Sequence, residues 1–262
     1  MEDSTVLLSR DGAVSTITLN RPRHKNAIDD NTWESLGAAL REVGRDQRTR
    51  AVVVTGAGGA FCAGADIGSD GGETSHPLPR MRRINEIALT LHELEKPTIA
   101  KVDGVAVGAG WNIALGCDLV AASSDARFSQ IFTHRALSVD FGGSWLLPRL
   151  VGLQQAKRLA LLADFVDADE AYQLGLVTWV KPGDELHGFV ADTAARLAAS
   201  PPMALAQTKR LLEEGTNATL REALENEARA QSINFATTDV AVALRAFRDK
   251  TVGEYTGRWS VR

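Results

Sequence analysis

The sequence predicts an α/β fold followed by a helical region, and three observations carry the prediction. Short β-branched runs alternate with helical periodicities through the first half of the chain, and the second half is almost wholly helical in pattern. With 262 residues, 44% of them hydrophobic, there is enough chain to close one large core with at most a small appendage. We place the core domain at residues 1–195 and the C-terminal helical region at 196–262.

Taken in order, Val14–Asn20 alternates in the strand manner, and Ala51–Thr55 is a continuous apolar run of the buried-strand type. Between them Trp33, Leu36, Leu40 and Val43 recur at helical spacing, with Asn31 as N-cap and Glu34 completing a capping box. Pro97–Val107 reads as one strand, running into Gly108-Ala109-Gly110, a short helix Trp111–Leu115, and a further strand Cys117–Ala122. Beyond these come helices at Gln154–Ala163 and at Ala168–Leu174, the latter capped by Asp167 and stopped by Gly175, then Ala-, Glu- and Arg-rich stretches from Glu185 to Lys250. Gly68–Arg80 is rich in glycine, proline and acidic residues and reads as a mobile loop. No internal repeat or low-complexity tract is present.

Composition excludes several function classes. A net charge of −4 with both signs dispersed leaves no basic footprint for nucleic acid or an anionic membrane surface. Cys62 and Cys117 form no CxxC or Cys/His pattern, so neither a disulfide framework nor a zinc site is expected. The N-terminus has no leader pattern and no apolar run approaches a membrane span, so a cytoplasmic protein whose partner is small, or another copy of itself, is expected.

Two glycine-rich turns could carry chemistry. The first, Thr55–Ile67, follows a buried strand, but Gly56-x-Gly58 meets Phe61 where a dinucleotide fold requires glycine, and no acidic residue ends a second strand at the expected distance. Such a turn is either a plain tight turn or a place where backbone N–H groups face a ligand. The second, Gly108-Ala-Gly110, opens a helix, where unpaired N–H groups and the helix dipole favour developing negative charge. Together they could polarise a carbonyl toward an enolate.

The runs Asn20–Ala27, Ala60-Phe-Cys-Ala-Gly-Ala-Asp66, Asp103–Gly110, Cys117-Asp118-Leu119 and Asp167–Val177 resemble, in order, the signature set of the crotonase (enoyl-CoA hydratase/isomerase) superfamily. The resemblance covers most of residues 14 to 180. It implies a spiral ββα superhelix with a C-terminal helical region, a homotrimer or dimer of trimers, and an acyl-CoA substrate bound without metal or redox cofactor. It also implies that the backbone N–H groups of Ala65 and Ala109 form an oxyanion hole. Around them it puts Ala27, Ala63, Gly64, Asp66, Ile67 and Gly108 at the substrate. Arg23, His24 and Lys25 fall where the family contacts CoA, and a basic group suits its 3′-phosphate, although a solvated loop reads equally well. The C-terminal Ala246-Phe-Arg-Asp-Lys250 resembles a further CoA-contacting motif, which carries over Phe247 and Lys250.

Departures from that pattern shape the chemical expectation. Hydratases of the family place glutamates where this chain has Asn112 and Phe132, so the carboxylate pair that would activate water for addition to a 2-enoyl thioester is missing. Asp140 stands where hydratases carry glycine. Dienoyl-CoA isomerases, 4-chlorobenzoyl-CoA dehalogenases and the ring-epoxide isomerases of phenylacetyl-CoA breakdown keep an aspartate there. The last group shares the pattern at 108–112 and at 140–152 and fits best. A lone aspartate can move a proton between carbons while the oxyanion hole holds the dienolate, and an apolar wall at Phe132 would raise its pKa. Asp140 could instead cap a helix starting near Gly143. Asn112 could cap, bind substrate or fill space. Trp111 and Trp145 read as packing residues, and the histidines, His24 apart, as surface or loop residues. The expected activity is acyl-CoA isomerisation, with atypical hydration and acyl-CoA binding without turnover as alternatives.

Overall fold

The computed structural model describes residues 4–66, 68 and 76–260. β1 (Val6–Asp11) and β2 (Val14–Leu19) form an antiparallel hairpin, and β2 buries Ser15, Ile17 and Leu19 alternately, as its sequence alternation predicts. α1 (Asp30–Arg45) turns Trp33, Leu36, Leu40 and Val43 into the core. Its N-cap is Asp29, not Asn31: the Asp29 carboxylate accepts from the Thr32 N–H and hydroxyl at 2.8 and 2.6 Å. Asp29 also pairs with Arg21 at 3.1 Å, a tertiary contact that a local Asn-x-x-Glu pattern cannot register.

β3 (Ala51–Gly56) runs parallel to β2, and α2 (Leu78–His92) returns the chain to β4 (Thr98–Val102), again parallel. The expected single strand over Pro97–Val107 is two strands. β4 ends at Val102 and β5 (Val105–Val107) enters a different sheet. The break is at Gly104, where φ is +63° and a Cβ would stand 2.2 Å from the Gly59 carbonyl oxygen, so only glycine fits the turn. α3 (Ala109–Leu115) follows at once, starting two residues earlier than its apolar pattern suggests, with all seven residues buried.

Next come β6 (Leu119–Ser123), β7 (Arg127–Ser129) and a 3₁₀ turn at Ile131–Arg135. α4 (Gly143–Leu162) is interrupted at Gly152, whose φ of 73° and ψ of 162° are not helical. β8 (Val166–Asp167) leads into α5 (Ala168–Gln173), which Asp167 caps as expected by accepting from the Glu170 N–H at 2.8 Å. After β9 (Trp179–Lys181) come the helices α6 (Gly183–Ala199), α7 (Pro202–Gly215), α8 (Leu220–Phe235) and α9 (Asp239–Asp249), and residues 251–260 follow without helix.

Two sheets result, one of six strands in the order β1-β2-β3-β4-β6-β9 and one of three in the order β5-β7-β8. Successive residues of the inner strands go to opposite faces of the larger sheet. Val52, Val54, Ala100 and Ala122 join the main core with α1, α3 and the small sheet, whereas Val53, Ile99 and Ala121 pack under Leu186, Val190 and Ala194 of α6. Covered on both faces, the parallel sheet reads as continuous apolar sequence. The C-terminal ends of β3 and β5 point at the two glycine turns, and the site is built there. No helix among the described residues is long and apolar enough to cross a membrane.

Candidate active site

The segment after β3 is zipped between two others. Ala63 donates to the Lys25 carbonyl at 2.9 Å, Ile28 donates to that of Gly64 at 2.8 Å, and Asp66 to that of Ile28 at 2.9 Å. On the other side Phe61 and Cys62 both donate to the Val105 carbonyl at 3.0 Å, and Val107 donates to that of Cys62 at 2.9 Å. Gly64 has φ +91°, and a Cβ on it would lie 2.9 Å from the Val107 carbonyl oxygen and 3.9 Å from the Ala109 nitrogen. Ala65 and Ala109 therefore sit on segments in direct contact. Among the described residues neither N–H has a protein acceptor. Ala109 is the first residue of α3, where an N–H has no intrahelical partner.

Arg21 and Asn26 lie in the Asn20–Ala27 run, whose motif resemblance gives neither a role, and both prove to be struts. Asn26, 1% exposed and left-handed at φ +57°, donates its amide to the carbonyls of Ala57 and Ala60 at 2.8 and 2.7 Å and accepts from the Arg21 N–H at 2.9 Å. The Arg21 guanidinium joins Asp29 to Asp66, the latter at 2.9 Å, so the Asp66 carboxylate helps fix the strip that carries Ala65. Arg23, His24 and Lys25 are exposed on the short turn beside that strip. Ala27 is half-buried within it, and Ile67 lies outside the described residues. On α9, Phe247 is 87% exposed and Lys250 closes the helix; neither lines the cavity described next.

Asp140 stands at the mouth of α4, beside a cavity of about 700 Å³ walled by Met81, Ala88 and Leu89 of α2 and by Phe141, Trp145 and Leu146. It does not cap α4: the N-cap is Gly142, and no side chain bonds there. Its backbone is what is held. The Asp140 carbonyl accepts from the Gly143 N–H at 2.9 Å and from the Asn112 side-chain amide at 2.8 Å, while the Asn112 side-chain oxygen accepts from Gln130 at 2.8 Å. Phe141, left-handed at φ +47°, stacks on Trp33 with ring centroids 5.3 Å apart. The carboxylate is left with one oxygen buried and unpartnered. Burial pushes the Asp140 carboxyl up from 3.8 to about 6. Among the described residues lining the cavity it is the one carboxylate.

Asn112 is thus a buried strut joining Asp140 to α3, one turn along from Ala109. Asn112→Ala should leave the buried Gln130 amide without its acceptor and take one of two donors from the Asp140 carbonyl, at a cost of about 2 kcal/mol read in urea unfolding; an unchanged midpoint would contradict this. Phe132 is not the cavity wall that was expected. Its ring lies 3.6 Å from where a Gly108 Cβ would stand, so it roofs the second glycine turn, and the cavity wall itself desolvates Asp140. Trp111 is core packing, 5.2 Å from Phe128, but Trp145 is 37% exposed and lines the cavity. His92, expected as a surface or loop residue, lines it too, partly exposed in the last turn of α2.

Residues 9–258 match the enoyl-CoA hydratase/isomerase family, and the chain belongs to it. It is 37% identical to a short-chain-enoyl-CoA hydratase of Clostridium acetobutylicum, over 95% of this chain and 97% of that one. It is 34% identical to a 1,2-epoxyphenylacetyl-CoA isomerase of Escherichia coli, over 94% and 95%. Among solved structures, an enoyl-CoA hydratase from Bacillus anthracis superposes with a TM-score of 0.93 at 30% identity, over 97% of this chain and all of that one. The crotonase fold expected from the motifs is thereby the fold of this chain.

Proposed function

We propose that this enzyme isomerises an acyl-CoA thioester, with the N–H groups of Ala65 and Ala109 holding the thioester oxygen and Asp140 as its single general acid/base. The observation that carries the reading is the solitary Asp140 carboxylate, desolvated, with a free oxygen, beside a cavity that holds no second carboxylate among its described lining residues. A base abstracts the α or γ proton, negative charge moves to the thioester oxygen between the two N–H groups, and the same carboxyl returns the proton at the other carbon. Atoms balance with no water consumed.

In this reading the exposed Arg23, His24 and Lys25 receive the CoA phosphate, with Phe247 and Lys250 contributing from their own or a neighbouring subunit. Exposed apolar side chains on the C-terminal helices, Leu212, Leu220, Phe235, Leu244 and Phe247, support residues 196–262 as the surface of a homotrimer or dimer of trimers.

Hydration is the second reading, favoured by relatives that carry hydratase names, such as the one from Clostridium acetobutylicum. One experiment separates them: 2- and 3-enoyl-CoA thioesters are incubated in deuterated water and followed by NMR. Isomerisation predicts deuterium at the α and γ carbons and double-bond migration without a 3-hydroxyacyl product. Accumulation of the hydroxyacyl thioester would overturn it in favour of hydration, and tight binding with no exchange would leave a binder.

A further inference from the structure

Resting on the acyl-CoA reading above, we propose that the accepted acyl group carries a hydroxyl at its distal end, and that His92 recognises it. Residues 81, 85, 88, 89 and 92 recur at helical spacing along one face of α2, and all line the Asp140 cavity. That face extends about 16 Å at 1.5 Å per residue. It runs from Met81 through Asn85, Ala88 and Leu89 to an imidazole beside the C-terminal end of α3, the end away from Ala109, where Leu91 lies 3.3 Å from a Cβ built on Gly116.

The imidazole is held from two sides. Its ring stands edge-on to Trp145 with centroids 5.1 Å apart, and Trp145 is itself covered by the Arg149 guanidinium, 3.9 Å from the indole centroid. On the other side, His92 Nδ1 faces the Glu213 carboxylate at 3.9 Å. Glu213 comes from α7, which is anchored beside α2 by Lys209: its ammonium donates to the Leu94 carbonyl at 2.8 Å and pairs with Asp118 at 3.0 Å.

At 3.9 Å the Glu213 carboxylate does not hydrogen-bond Nδ1, but in the neutral imidazole its charge favours the tautomer with the proton there, which leaves Nε2 as an acceptor. A hydrocarbon tail lying against it would displace water and return no hydrogen bond, a cost a hydroxyl avoids. Trp145 supplies the flat apolar flank for the carbons leading up to that hydroxyl.

The test is calorimetric binding to the full chain of saturated acyl-CoA thioesters, matched in carbon count and bearing a terminal-region hydroxyl, a ketone or neither. With no double bond to move, turnover does not enter. The hydroxylated thioester should bind about tenfold tighter than the hydrocarbon, the equivalent of one hydrogen bond. His92→Leu should erase the difference, His92→Gln should retain part of it through its side-chain oxygen, and Glu213→Gln should shrink it by freeing the tautomer. Equal binding by the wild type, a preference that survives His92→Leu, or a ketone bound as tightly as the hydroxyl would each overturn the assignment. If no thioester binds, it is the acyl-CoA reading itself that fails, a result distinct from equal binding.

Discussion

Asp140→Asn should lower deuterium entry into an enoyl-CoA by at least about 100-fold, the usual contribution of a positioned general acid/base, while leaving CoA binding intact. The substitution keeps the shape of the side chain and removes only its basicity. In the wild type, exchange should rise with pH through about 6, as burial-raised Asp140 ionises, and then level off; in the variant the slope should vanish. Stability should move the other way. A carboxyl at 3.8 when unfolded and about 6 when folded binds protons more tightly in the native state, so stability falls as pH rises between those values. The wild type carries the whole penalty at pH 7, at most about 3 kcal/mol for a shift of about two units. The asparagine variant, unable to ionise, should be more stable than wild type at pH 7 and no more stable below pH 3.8. A variant that loses activity and stability together at neutral pH would contradict a desolvated catalytic carboxylate.

Gly110→Ala should be damaging although it is chemically slight. In a free helix alanine is favoured over glycine by about 1 kcal/mol, but here the added carbon would stand 2.5 Å from the Cys62 carbonyl oxygen and 2.8 Å from its sulfur. Backbone cannot yield as a side-chain tip can, so α3 must shift. Overpacking of this kind costs about 1–3 kcal/mol, which outweighs the propensity gain. Because Ala109 precedes this residue, its N–H moves with the helix, and a displacement near 1 Å can cost about 100-fold in rate. Gly188→Ala in α6 is the control: nothing lies within 4 Å of the added carbon, so stability should hold or rise. Equal behaviour of the two variants in thermal melts would show that the contact at Gly110 does not matter.

Local physics made much of this legible. Alternation along Val14–Leu19 and the apolar run Ala51–Val54 reflect how many faces of each strand are covered, and Asp167 and Gly175 bound α5 through their own side chain and backbone. What escaped the sequence reading depends on partners far along the chain. Asn31 has a locally plausible capping pattern, yet Asp29 caps α1 through Thr32 and also meets Arg21 from outside the helix. The run to Val107 reads as one extended segment despite Lys101 and Asp103, and the tight approach of Gly104 to Gly59 marks where it divides between two sheets. His92 has no local partner, since Glu213 reaches it from α7. Phe132 is as buried as a wall residue would be, but its ring packs over Gly108 and not along the cavity. The positions of Ala65 and Ala109 came from motif resemblance; their contact depends on Gly64, a fact of tertiary packing.

The two halves of the site are built to different tolerances. The strip carrying Ala65 and the start of α3 are laced into both sheets by backbone hydrogen bonds and by glycines with no room for a methyl group. The Asp140 turn projects beyond that lacing, tied to α3 through the Asn112 amide and propped by the Phe141 stack. Like a vice with an interchangeable bit, such a layout lets the proposed oxyanion grip persist while the proposed acid/base group is exchanged. New chemistry can then arise by substitutions around residue 140 alone, without renegotiating the folding of the strands beneath.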